Sequence, residues 1–158
     1  ELAALAESRC EDGELIFADL HYMLALMGGA HSDSAARLER CIAKRAGTGT
    51  PMGAVADDPG RAAAAGLAAF GEGRYDAAFR TLSVAMQGLQ RIGGSHAQRD
   101  VFERMTIDAG LRAGQFDAAE DMLNARAAKR AGALDSFADT RLARISAART
   151  ARMSIPAQ

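Results

Sequence analysis

A six-residue phrase occurs twice in this chain. Gly73-Arg74-Tyr75-Asp76-Ala77-Ala78 and Gly114-Gln115-Phe116-Asp117-Ala118-Ala119 stand 41 residues apart. Each follows a small-residue-rich segment and precedes an amphipathic one. A helix, a glycine turn and a returning helix at a fixed period are the pattern of helical-hairpin repeats. In each copy the glycine permits a tight turn, the aromatic ring packs between the helices, and the alanine allows close approach. Stacked, such hairpins build an all-α fold, an α/α superhelix, and they present binding surfaces more often than active sites.

Composition supports helix packed on helix. Apolar residues make up 49% of the 158, aromatics only 5%, and there is no Trp. No stretch alternates in the manner of a strand. The formal net charge of −1 gives no global field to attract nucleic acid or a membrane surface. No apolar run approaches the ~20 residues of a membrane span, and no secretory leader pattern is visible. Cys10 and Cys41 form neither a disulfide framework nor a metal-ligand set, so a reducing, cytoplasmic setting is expected. Among basic residues only Lys44 and Lys129 are not arginine, as expected of a GC-rich, bacterial source.

The periodicity divides the chain as follows. Residues 1–46 read as a degenerate first repeat. They begin inside a helical pattern with no cap, as a fragment of a longer chain would. A helix over 14–27 carries an apolar stripe of Ile16, Leu20, Met23, Leu24 and Met27, and Gly28-Gly29 ends it. A second helix begins at Ser32 or Asp33 as cap and runs to Arg45, but its turn lacks the Gly-x-aromatic-Asp wording. Residues 47–60 are read as a loop rich in Gly, Thr, Pro and Asp, at the upper limit for a compact domain. Residues 61–132 hold two helix pairs. Residues 133–152 form a terminal capping helix with no returning partner, and 153–158 are expected to be a disordered tail.

The turn wording resembles the tetratricopeptide repeat, whose usual period is ~34 residues. A narrower likeness lies in Ile92-Gly93-Gly94-Ser95-His96-Ala97-Gln98-Arg99-Asp100-Val101-Phe102 and in Phe17-Ala18-Asp19-Leu20-His21-Tyr22-Met23-Leu24-Ala25. Together they resemble the C-terminal part of the tetratricopeptide repeat protein 38 family, over roughly residues 14–130. That resemblance implies an α/α superhelix and a missing N-terminal half.

The same two segments supply the candidate site residues: Asp19, His21, His96, Gln98, Arg99 and Asp100. Each has a local explanation. Ser95 and Gln98 make a capping box, and Asp100 favours the helix dipole while standing four residues before Arg104. Asp19 and His21 fall on opposite flanks of their helix and cannot chelate one metal from a shared face. No metal site, cofactor fingerprint or nucleophile elbow is present in the wording. Arg141, Arg144, Arg149 and Arg152 crowd the last helix, where a solvated face accounts for them.

The expectation is therefore a binding module. A peptide, a protein partner or another segment of the parent chain would lie in a concave groove formed by the helices near 14–27, 61–70 and 96–112, with His21, Gln98 and Arg99 as handles. The alternative is half of an enzyme whose site is completed by a missing N-terminal region. Self-association through the helix at Glu1 is a third expectation. Neither nucleic acid nor membrane is expected as a partner.

Overall fold

The computed structural model describes residues 1–130, 132–133 and 135–153, so most of the tail 153–158 lies outside the described residues. All regular structure among them is helical: α1 (Leu2–Ser8), α2 (Ile16–Gly28), α3 (Ser32–Ala46), α4 (Pro51–Val55), α5 (Arg61–Gly71), α6 (Tyr75–Gly88), α7 (His96–Arg112), α8 (Phe116–Ala128) and α9 (Ser136–Met153). No helix among them is long and apolar enough to cross a membrane. The chain forms two compact units, and the boundary between Thr106 and Ile107 falls within α7.

The repeated phrase produces a repeated turn. Gly73 and Gly114 both take the left-handed conformation, with φ of 75° and 74°. The next residue's N–H reaches back to the helix, Arg74 to Ala69 O at 2.9 Å and Gln115 to Gly110 O at 2.8 Å. Gly73 and Gly114 donate to Phe70 O and Leu111 O. This pair of bonds satisfies carbonyls that the helix end leaves orphaned.

The same turn occurs a third time, between α2 and α3. His31 N–H donates to Leu26 O at 2.9 Å, and Ala30 N–H to Met27 O at 3.2 Å. Ala30-His31-Ser32-Asp33-Ser34-Ala35 is therefore a third copy of the phrase, altered at the glycine, at the aromatic and at the first alanine, now Ser34. The first hairpin lacks the wording, as its sequence shows, and still makes the turn. Two expectations are corrected here. Neither Gly28 nor Gly29 takes the left-handed position, which falls to Ala30 with φ of 59°. Neither Ser32 nor Asp33 caps α3; the boundary residue is His31, because its N–H is drawn onto Leu26. Gly29 serves packing instead. A Cβ there would sit 2.6 Å from Ala3 Cβ, so the glycine lets α1 approach.

In the first unit the core runs through Ile16, Leu20, Met23 and Leu26 of α2, Leu38 and Ile42 of α3, Ala63, Ala64 and Leu67 of α5, and Leu82 and Leu89 around α6. The α2 stripe is rotated from the expected one. Leu26 is buried, whereas Leu24 and Met27 only pack against the core's edge. Helices α5 and α6 approach closely, and Gly66 explains why: a Cβ there would lie 2.6 Å from Leu82 Cγ and 3.1 Å from Leu82 N. The glycine costs roughly 1 kcal/mol of helix propensity and permits that approach.

The stretch 47–60 is not a loop. Pro51 at the first helical position and Thr50, whose hydroxyl accepts from Gly53 N–H at 3.0 Å, start α4. A kinked turn over Ala56–Gly60 then leads straight into α5, with Asp58 extended (φ −139°, ψ 115°) before Pro59. Asp58 is tied to Arg91 at 2.7 Å.

The second unit is built on Ile107, Leu111, Ala119, Leu123, Phe137, Ala138 and Ile145, from the end of α7, α8 and α9. The arginines of α9 are not simply a solvated face. Arg141 grips Asp108 through two bonds of 2.9 and 3.0 Å and lies 3.9 Å over the Phe137 ring. Arg149 reaches Asp117 at 2.5 Å and Glu120 at 2.8 Å, and Arg152 covers Phe116. These contacts dock α9 on its neighbours.

Candidate functional site

The two segments singled out by sequence come together within the first unit. His21 on α2 donates from Nδ1 to Phe17 O at 2.7 Å, its ring lies 4.3 Å from Phe17 and edge-on to Phe102 of α7 at 5.4 Å. Gly94 packs directly on the Phe17 ring, which a side chain at that position would strike. His21 is thus half-buried between two aromatic rings. It edges no cleft.

The other expected site residues are held by local structure. Ser95 N–H donates to Gln98 Oε1 at 2.8 Å and Gln98 N–H to Ser95 Oγ at 3.2 Å, so the capping box forms. Arg99 donates to the carbonyls of Gly93, at 2.8 Å, and Gly94. Asp100 accepts from Arg104 at 2.7 Å, and His96 is exposed at the helix start. Asp19 is no groove edge. Its side chain is 1% exposed and accepts from Arg45 Nη1 at 2.8 Å. Burial pushes its carboxyl above the ordinary value, and the Arg45 bond opposes that shift. No three His, Cys, Asp or Glu side chains among the described residues are placed to hold a metal ion.

A cleft of about 320 Å³ lies elsewhere, at the corner where α2 and α5 end and α3 begins. Met27, Ala35, Ala36 and Ala68 supply apolar walls, and His31, Ser32, Glu39 and Glu72 the polar ones. The repeated turn explains its origin. Tyr75 in the second copy sets its ring against Phe70 at 5.4 Å. The equivalent residues of the first copy are Ser32 and Met27, and both line the cleft. The first copy has no ring at this place, and the positions that correspond to the Tyr75–Phe70 pair border the cleft.

A second departure lies on the same wall. Leu82 and Leu123 stand at one offset from their turn glycines and are fully buried. The residue at that offset in the first copy is Glu39, half-buried and lining the cleft. Among the described residues Glu39 has no ion-pair partner, whereas Glu72 accepts from Arg74 at 2.6 Å. The first repeat thus replaces a half-buried aromatic position and a buried leucine position by polar residues on the same cavity.

The rim is braced from α1. Ser34 donates to Glu7 Oε1 at 2.6 Å, and His31 Nδ1 lies 3.5 Å from Glu7 Oε2. The Ser34 hydroxyl above all holds the Glu7 carboxyl below its ordinary value; burial opposes this, and His31 and Arg37 assist. A lowered folded-state value means that this brace acts at neutral pH and is lost as pH falls through it. Ala30 completes the rim in a left-handed conformation that costs an L-residue about 1–2 kcal/mol.

None of the six residues expected from sequence lines the cleft; His31, Ser32, Glu39 and Met27 do. The signal that locates them is Asp33 and Ala35, which keep the spacing of Asp76 and Ala78 after the turn. Set against known proteins, the chain matches no family model and no solved structure.

Proposed function

We propose that this chain is a tetratricopeptide-like interaction module that holds a peptide segment of a partner protein in the cleft bounded by α2, α3 and α5. The observation that carries this reading is the pair Ser32 and Glu39. They stand where the other copies have an aromatic residue and a buried leucine, and both line one cavity. A repeat that did nothing but stack would gain from an aromatic and a leucine there, since filling such space stabilises a core. Retaining an open, partly apolar cleft with a half-buried carboxylate suits recognition of a side chain from outside. The reading assigns binding, not turnover, to this chain.

Backbone amide spectra of the ¹⁵N-labelled protein, titrated with pooled random heptapeptides, test this. Shifts are expected for residues 27–39 and 68–72, with those around Ser95 and Gln98 unmoved. Shifts centred on Gln98 and Arg99 would place the interaction in the groove expected from sequence and overturn the cleft.

A further inference from the structure

On the reading just given, we infer that the occupant of the cleft is an aromatic side chain of the partner, flanked in its peptide by a basic residue. The first half of this rests on the repeat. Tyr75 meets Phe70 in the second copy, and its place in the first is taken by Ser32 beside Met27. An aromatic ring entering from a partner restores the missing contact, with the Met27 thioether as the surface it meets. The walls of Ala35, Ala36 and Ala68 are small and flat, which suits a ring better than a branched side chain.

The basic flank follows from charge. Among the described residues Glu39 has no ion-pair partner; it is half-buried on the wall, and Glu72 lies on the rim with Arg74 as its partner. Helices α2 and α5 both end here, adding partial negative charge at two helix C-termini against one N-terminus from α3. His31 is turned toward Glu7 through Nδ1. A lysine or arginine beside the aromatic anchor would pair with Glu39 while its methylene stem covers the alanines.

The test uses synthetic heptapeptide pools with a fixed central Phe or Leu, flanked by Lys or by Glu, measured by fluorescence anisotropy. The Phe–Lys pool is expected to bind tightest, about fivefold over Leu–Lys and about tenfold over Phe–Glu. Ser32→Tyr should fill the cleft from within, raise the melting temperature and weaken the Phe–Lys pool at least tenfold. Glu39→Gln should keep the Phe preference and lose the Lys preference. Equal binding of Phe and Leu pools, or a Ser32→Tyr chain that binds as the natural one does, overturns the aromatic assignment while leaving the cleft as an interaction site. A Lys preference that survives Glu39→Gln overturns the role given to Glu39. If no pool binds the natural chain, the interaction reading itself falls.

Discussion

Replacing Arg45 by Met is expected to lower folding stability by about 3 kcal/mol, the scale for removing one partner of a buried ion pair. Asp19 is 1% exposed and Arg45 14%, so neither charge is well screened by water. Gly13, in the turn before α2, leaves room for the Arg45 guanidinium, which a side chain at that position would strike. Without Arg45 the Asp19 carboxyl loses the bond that opposes its upward shift. Its folded-state value then rises further above the unfolded one. The deficit is therefore largest at neutral pH and narrows as acid protonates Asp19. The double variant Asp19→Leu, Arg45→Met should recover to within about 1 kcal/mol of the natural chain, because a well-packed apolar pair replaces a buried ionic one at little cost. Urea unfolding of the three variants at two pH values reads all of this. A double variant as unstable as Arg45→Met would show that the pair has a role beyond mutual neutralisation.

Phe102→Ala is the second large effect, a loss of about 4 kcal/mol on the scale of aromatic truncations in cores. Phe102 is 1% exposed, belongs to the core shared with α2 and meets the His21 ring edge-on. Gln98→Ala, in the same segment, removes only half of a capping box and should lose about 1 kcal/mol. The contrast separates a residue that joins two elements from one that finishes a helix end. Thermal unfolding of both variants measures it, and similar losses would contradict these structural roles.

Local features are the most legible in the sequence. The capping box at Ser95 and Gln98 and the ion pair of Asp100 with Arg104 need only a few residues of context, and both are present. The glycine turns at Gly73 and Gly114 follow directly from the doubled phrase. Features that depend on distant partners are not legible. Asp19 reads as a flank residue until Arg45, on the next helix, is seen to draw it into the core. Arg141 and Arg149 of α9 read as solvated until Asp108, Asp117 and Glu120 are placed beside them.

Two further features carry signals in the sequence that stronger ones obscure. Thr50-Pro51 is a helix start, but the surrounding glycines mask it. Ala30 to Ala35 repeats the Asp and the final Ala of the phrase, yet the glycine and the aromatic that make the phrase conspicuous are among the residues that differ. Those changes are what leave the cleft open. Divergence from the repeat, and not the repeat itself, marks the candidate site.

The chain contains no Trp, so the emission of a Trp-bearing peptide can be followed against a dark background. Titrating a Lys-Trp-Lys peptide with the natural chain and with Ser32→Tyr tests the cleft most directly. A saturable blue shift with the natural chain that Ser32→Tyr abolishes is the expected result. An unchanged emission at saturating protein, or the same shift with both chains, would contradict it.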